Sequence, residues 1–451
     1  MSDPTIAQSP SRRRFIGAAA AAVAAGSLSP LAFAEMNESI ARGAPATNGD
    51  SAAIWPLHVQ VPEAQLIDLR RRIKATRWPE RETVNDDSQG VPLAMLQELA
   101  RHWSTDYDWR NIEARLNALP NFVTEIDGLD IHFIHVRSKH DNAMPLIVTH
   151  GWPGSVIEQL KIIEPLTNPT AFRASASDAF HVVIPSLPGY GFSGKPTTTG
   201  WGPERTARAW VVLMKRLGYE KFAAQGGDLG GVVCNVMARQ APPELLGIHV
   251  NFPATVPPDI VKALQAGDPP PATLSDDERH AYEQLASAAM KRRAYALEMG
   301  TRPQTLYGLS DSPVALAGWL LDHGDGYIQP AAALTSAVFG HPVNGESAGA
   351  MTRDDLLDDI TLYWLTNTGI SAARFYWESH INFTAAADTS VPAAISVFPR
   401  ENYRAPRSWT EKAYHNLIYY NRPEKGGHFA AWEQPQLFAE EVRAGLRPLR
   451  Q

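Results

Sequence analysis

Four short segments hold residue types that could do chemistry together. Gly226-Gly227-Asp228-Leu229-Gly230 follows an apolar run, Phe222–Gln225, and has the form Gly-x-nucleophile-x-Gly with aspartate at the reactive place. Such a segment turns a strand sharply into a helix and lifts one side chain above the sheet edge, and small flanking residues give the backbone room for the turn. The helix N-terminus beyond Asp228 adds backbone N–H groups that favour negative charge. Two elements earlier, His150-Gly151-Trp152-Pro153 ends the run Leu146–Thr149. A backbone N–H there, that of Trp152, can face the nucleophile together with the N–H of Leu229. Late in the chain, Glu401 follows one strand-like run and Gly426-Gly427-His428-Phe429 follows the next. The order is nucleophile, acid, histidine.

An aspartate nucleophile restricts the reaction. Carboxylates attack saturated carbon and leave an alkyl ester on the enzyme. Water, activated by the histidine, then attacks the ester at its carboxyl carbon. Epoxides and alkyl halides are suitable substrates, and the leaving group separates them. An epoxide oxygen needs a proton, so phenols should hang over the nucleophile. A halide needs indole or amide N–H donors, often from a Trp directly after the Asp, and here Leu229 stands in that place. Tyr295, in Arg293-Ala294-Tyr295, and Tyr376, in Arg374-Phe375-Tyr376-Trp377, are the candidate proton donors. The chain has 13 tyrosines, so each of the two, taken alone, is more often a packing aromatic than an acid. Dehalogenation or ester hydrolysis on the same scaffold, and a non-catalytic ligand-binding protein, stay open on this ground.

The elements that would position these residues are strands alternating with helices. Phe122–Ile126 and Asp130–Val136 flank Asp127-Gly128, a hairpin signal. The runs Leu146–Thr149, His181–Ile184, Phe222–Gln225 and Ile248–Phe252 follow, with a helix over Arg205–Leu217. This is the pattern of an α/β fold with a mostly parallel sheet. Alternation stops from Pro253 to Trp377, where helices over Asp276–Glu298 and Arg353–Leu365 read as an insertion. It resumes at Ala394–Phe398 and Leu417–Tyr420 and ends in a helix over Pro435–Leu446. Ahead of the strands, Leu66, Leu69 and Ile73 recur at three and four, and Leu93, Leu96, Leu99 and Trp103 mark a second helix. The expected parts are a helical N-terminal domain over 54–120, a core over 121–254 and 378–451, and a helical lid over 255–377.

The N-terminus reads as an address. Ser11-Arg12-Arg13-Arg14-Phe15-Ile16-Gly17 precedes the mostly alanine run Ala18–Leu28, and Ala32-Phe33-Ala34 fits a cleavage site. The whole resembles a twin-arginine export signal over 1–34, followed by a polar linker over 35–53. The expected location is the periplasm or outside the cell; an uncut signal would leave a membrane anchor instead. Cleavage after Ala34 removes three arginines and one aspartate, taking the formal charge from −7 to about −9. That balance gives no support to nucleic-acid binding.

One cysteine, Cys234, excludes an internal disulfide framework and a multi-cysteine zinc site. Gly189-Tyr190-Gly191-Phe192-Ser193-Gly194-Lys195 imitates a phosphate loop. However, Pro196 replaces the required Ser/Thr, and Thr197–Pro203 cannot start the helix such a loop needs. No metal site is expected.

These segments together resemble the microsomal-type epoxide hydrolase family. The resemblance is carried by Leu69-Arg70-Arg71-Arg72-Ile73 with Thr76-Arg77-Trp78-Pro79, and by His150-Gly151-Trp152-Pro153-Gly154 and Gly226-Gly227-Asp228. It continues through Thr301-Arg302-Pro303-Gln304-Thr305, Arg374-Phe375-Tyr376 and Gly427-His428-Phe429-Ala430-Ala431. It spans about 54–447. It implies an α/β-hydrolase fold and cofactor-free hydrolysis of a hydrophobic epoxide to a vicinal diol. It places the nucleophile on Asp228, the acid on Glu401, the base on His428 and the proton donors on Tyr295 and Tyr376. Trp152 and Leu229 would form the oxyanion hole, and His150, Gly151 and Pro153 would touch substrate. The lid aromatics Trp319, Tyr327, Trp364 and Trp377 suggest an apolar pocket. Leu229 departs from the family, many of whose members have Trp there. Beyond substrate and water, the expected partner is the twin-arginine export machinery; the oligomeric state is not readable.

Overall fold

The computed structural model describes residues 52–450 apart from Tyr327, Asn344 and Ile381. The export-signal segment and nearly all of the expected linker lie outside these residues.

A nine-stranded sheet forms the centre. Its strands are β1 (Ile54–Pro56), β2 (Asn121–Ile126), β3 (Leu129–Val136), β4 (Met144–Thr149), β5 (Phe180–Pro185), β6 (Phe222–Gly226), β7 (Leu245–Val250), β8 (Ala393–Ser396) and β9 (Leu417–Asn421). Their order is β1-β2-β3-β5-β4-β6-β7-β8-β9. From β5 to β9 all neighbours run parallel, while β1, β2 and β3 form an antiparallel end. Every residue of β5 and β6 is buried, as expected of parallel strands covered by helices on both faces. The β2–β3 turn works because Asp127 and Gly128 both take positive φ, 52° and 78°. Two-residue hairpins of the primed type require that sign, and Asp-Gly tolerates it.

The N-terminal domain holds three helices and a strand, not helices alone. β1 pairs antiparallel with β2 through Ile54↔Thr124 and Pro56↔Phe122. A three-residue edge strand ending in proline has too little alternation to read in sequence. The helices are Glu63–Lys74, Leu93–Thr105 and Trp109–Asn117. The third was not evident from periodicity. It starts where the Asp108 side chain accepts the Arg110 N–H at 3.0 Å. Leu66, Leu69, Ile73, Leu99 and Trp103 are buried. The domain meets the helical insertion between β7 and β8 by specific bonds as well. Trp103 Nε1–H donates to Thr361 Oγ1 at 2.9 Å, and the Tyr107 hydroxyl donates to Asp358 Oδ1 at 2.9 Å. Both acceptors lie on the helix Arg353–Thr366.

Between β7 and β8 the chain is helical among the described residues, but the expected helix 276–298 is broken. Asp276–Lys291 and Ala294–Thr301 are separate. The break sits at Arg292, whose buried guanidinium donates to the Gln284 carbonyl at 3.1 Å and to the Asp325 carbonyl. Tethering it inward turns the chain just before Tyr295. Strand β7 ends at Val250, two residues earlier than expected, which frees Phe252 to line a cavity.

The glycine loop 189–194 does not line that cavity. It braces the helix Gly369–Glu378, which carries Tyr376. The Ser371 hydroxyl donates to Gly189 O at 2.6 Å and the Tyr190 hydroxyl donates to Ala372 O at 3.2 Å.

Candidate active site

Asp228, two residues beyond β6 and first in the helix Asp228–Gln240, has φ +45°. Few non-glycine residues accept that conformation. The crowding around it explains the glycines. A Cβ on Gly226 would lie 2.2 Å from the Gly230 backbone, and one on Gly230 would lie 2.0 Å from the Thr149 carbonyl. A Cβ on Gly151 would lie 2.4 Å from that of Asp228. Three backbones thus meet at a point where only hydrogen fits. The close approach lets the Trp152 N–H donate to Asp228 Oδ1 at 2.9 Å. Leu229, the other expected donor, is fully buried beside it and makes no such contact among the described residues.

Behind the carboxylate stands His428, with Nε2 3.5 Å from Asp228 Oδ2 and Nδ1 2.6 Å from Glu401 Oε1. The same Glu401 oxygen accepts the Asn402 N–H at 2.7 Å. Glu401 comes from the loop after β8 and His428 from the loop after β9, so one sheet end gathers all three. Burial alone would push the Asp228 carboxyl up. The hydrogen bond and charge of His428 outweigh it, with help from the Trp152 N–H, and hold the carboxyl below its ordinary value. Burial disfavours the His428 imidazolium, but Glu401 and Asp228 outweigh that and raise the ring well above its ordinary value. The resting pair is therefore carboxylate and imidazolium.

Tyr295 and Tyr376 face this group across a cavity of about 340 Å³ lined by Asp228 and by Phe252, Leu264 and Phe383. The Tyr295 ring stacks on Trp152 at 4.7 Å, and Tyr376 meets Trp152 edge-on at 6.0 Å. Trp152 thus orients both phenols with its ring while its N–H holds the carboxylate. Burial, then the Asp228 charge, pushes both phenols up, so each keeps its proton.

Three expected substrate contacts are not cavity residues. His150 is fully buried; its Nδ1–H donates to Gly151 O at 3.0 Å and its Nε2 accepts the Leu187 N–H at 3.1 Å. It shapes the loop. Gly151 serves by its missing Cβ, and Pro153 is buried behind Trp152. The lid tryptophans are also elsewhere: Trp364 lies under Arg72, and Trp377 is 40% exposed. Tyr327 lies outside the described residues.

Periodicity gave no sign of His323. It is 1% exposed, follows the helix Pro313–Leu321, and stacks on His428 at 4.5 Å with 28° between planes. Asp228, His323 and His428 bring one ligand-type atom each to within 4.8 Å of one another, so a cation-binding set exists on composition. Two imidazoles stacked this nearly parallel hold their lone pairs in nearly parallel planes, whereas a metal needs them to converge.

The chain is similar to known proteins over most of its length. Residues 54–159 match the model of the epoxide hydrolase N terminus, and residues 144–284 match that of the alpha/beta hydrolase fold. Epoxide hydrolase 1 of Sus scrofa is 32% identical over 417 residues, 89% of this chain and 90% of its own length. The chain belongs to the epoxide hydrolase family. A Stigmatella aurantiaca relative bearing the epoxide hydrolase name by inference is 49% identical over 398 residues, 88% of this chain and 86% of its own. The crystal structure of juvenile hormone epoxide hydrolase from Bombyx mori superimposes with a TM-score of 0.77 at 28% identity, covering 88% of this chain and 95% of that one. This epoxide hydrolase has the α/β-hydrolase fold. No helix among its described residues is long and apolar enough to cross a membrane.

Proposed function

We propose that this enzyme opens a hydrophobic epoxide through an ester on Asp228. The observation that carries this is a carboxylate held ionised opposite two protonated phenols across a cavity that Phe252, Leu264, Leu285 and Phe383 line on its apolar side. The epoxide oxygen lies between Tyr295 and Tyr376. Asp228 Oδ2 attacks a ring carbon, since Oδ1 is engaged by Trp152. The carbon–oxygen ring bond breaks and the oxygen takes a phenol proton. Esterification removes the Asp228 charge that had helped raise His428, so its ring becomes more acidic and returns a proton to the phenolate. Neutral His428, oriented by Glu401, then takes a proton from water. The water oxygen adds to the Asp228 carboxyl carbon, and the oxyanion on Oδ1 faces the Trp152 N–H, with Leu229 as second donor. The ester carbon–oxygen bond breaks, the departing alkoxide takes the proton of the new acid, and His428 keeps the water's proton. Carboxylate and imidazolium are restored, and the diol leaves.

The test is His428→Gln with styrene oxide. The protein should gain the mass of one substrate, located on Asp228. Confirmed binding with no adduct refutes the two-step scheme.

The same protein is proposed to leave the cytoplasm through the twin-arginine machinery, on the strength of Ser11–Gly17 and Ala32-Phe33-Ala34. Arg12→Lys with Arg13→Lys should retain it in the cytoplasm; unchanged export overturns the assignment.

A further inference from the structure

His323 is set apart from the other buried histidines of the protein. His132 bonds Ser186 and Asn121, each at 2.9 Å. His150 is satisfied by backbone, and His249 bonds Ser396 at 3.0 Å. Neither ring nitrogen of His323 has a well-aligned hydrogen-bond partner among the described residues, although the side chain is 1% exposed and the Gly324 backbone lies close to the ring. Leaving a buried polar group unpaired costs about 1–3 kcal/mol, so such a group usually has a ligand. Burial, then the charge of His428, pushes the ring down to about 3, against the pull of Asp228 and the Gly324 backbone. It is a neutral imidazole with one donor and one acceptor to offer.

The ring sits between the two halves of the catalytic centre. It stacks on His428 at 4.5 Å and lies 5.4 Å from the Tyr295 ring. One of its nitrogens is within 4.8 Å of both an Asp228 oxygen and a His428 nitrogen. A water at about 2.8 Å from each of two atoms bridges about 4.6 Å at a tetrahedral angle. A bridging water tolerates near-parallel rings, whereas a metal needs its ligands' lone pairs to converge on one point.

We infer that His323 is a further catalytic residue of the hydrolytic half-reaction: its ring nitrogen holds the attacking water between His428 and the Asp228 ester. This rests on the ester reading above. The water gives one proton to His428 Nε2 and keeps the other, which is hydrogen-bonded to His323. Its oxygen forms the bond to the Asp228 carboxyl carbon, and the ester carbon–oxygen bond breaks as already described. His323 neither gains nor loses a proton. Alkylation of Asp228 uses no water, so it should not depend on this side chain.

The experiment is single-turnover kinetics on the full chain with styrene oxide, comparing His323→Phe and His323→Asn with the wild type. Phe keeps the stacked ring without nitrogen; Asn restores one polar atom. In His323→Phe, alkylation should stay within about 3-fold of wild type while ester hydrolysis falls about 10- to 100-fold, so that the adduct accumulates. His323→Asn should recover part of the hydrolysis rate. Wild-type hydrolysis in His323→Phe overturns the inference. So does an equal loss in both steps, which would mark a packing role. Zn²⁺ inhibition of the wild type that His323→Phe relieves, with hydrolysis unchanged, reassigns the residue to a metal site. Should the Phe variant not fold, His323→Leu carries the same expectation and the same refutation. An adduct in His428→Gln alongside wild-type hydrolysis in the His323 variant removes only this inference. No adduct in His428→Gln removes the ester scheme itself.

Discussion

The two halves of the active site are built by different forces. On the sheet side, Asp228, Glu401 and His428 are fixed by short hydrogen bonds and by backbones packed too closely for any side chain at Gly151, Gly226 or Gly230. On the lid side, Tyr295, Tyr376 and His323 are placed by ring packing against Trp152 and His428. Among the described residues no well-aligned hydrogen bond ties the His323 nitrogens. Hydrogen bonds hold a charged group at one angle, as a nucleophile and its base require. Aromatic packing holds a ring and leaves its polar atom free for substrate or water. The difference teaches which half tolerates change: the sheet side should fail sharply, the lid side by degrees.

The hardest test of that contrast is Asp228→Asn. It keeps the size of the side chain and the Trp152 bond but removes the nucleophile, and turnover should fall by about 10⁴-fold or more with the fold intact by circular dichroism. Turnover at a tenth of wild type would mean that another group attacks. Next comes His428→Gln, which should lower turnover about 10³-fold while the ester still forms, because only the second step lacks its base. Rapid-quench measurement of the ester separates this from a loss of binding.

The lid side should respond in smaller steps. Tyr295→Phe or Tyr376→Phe should each slow alkylation about 10- to 100-fold, and the double variant should approach the full 10²–10⁴-fold worth of general acid catalysis. Hydrolysis of a preformed ester should change little. Alkylation at the wild-type rate in the double variant would make both tyrosines packing residues and favour another leaving group.

A subtler effect concerns pH. His428 is raised by Glu401 and Asp228 together, and hydrolysis needs it neutral. Ester hydrolysis should therefore rise with pH through the ester-state pKa of His428. Glu401→Gln removes one raising charge, so that limb should move to lower pH even as the plateau rate drops. An unmoved limb would show that Glu401 does not set the charge of the ring.

The smallest expected effect lies outside the site. Trp103→Phe breaks the bond to Thr361, costing about 1–2 kcal/mol of stability in denaturant titration. If the N-terminal domain steadies the lid, alkylation should weaken slightly and hydrolysis not at all. Equal loss in both steps would mean that the two halves are not separately supported.

How much of this was legible before folding depended on how local each cause was. The elbow could be read because the glycines at 226 and 230 and the carboxylate between them are one short segment with one backbone demand. Acid and histidine could be read because each follows a recognisable strand, and the sheet's parallel order brings such loops to one end. The hairpin at Asp127-Gly128 and the final helix Pro435–Leu446 were equally local. Tyr295 and Tyr376 needed a family resemblance, because nothing near them in sequence distinguishes them from packing aromatics. His150 shows the limit of such reading, because lying next to a reactive loop looks the same in sequence whether or not the ring is held, as here, by bonds to Gly151 and Leu187.

The sequence alone thus determined the α/β architecture and the chain order Asp228, Glu401, His428, since periodicity and turn chemistry are carried by neighbours in the chain. Only the tertiary structure decided the break at Arg292 that turns the chain before Tyr295, the edge strand Ile54–Pro56, and the placing of His323 against His428. Each of these depends on contacts with residues far away in sequence: the Asp325 carbonyl, β2 and a loop beyond β9. No local pattern encodes such a contact, because its energy exists only once the partner segment has arrived.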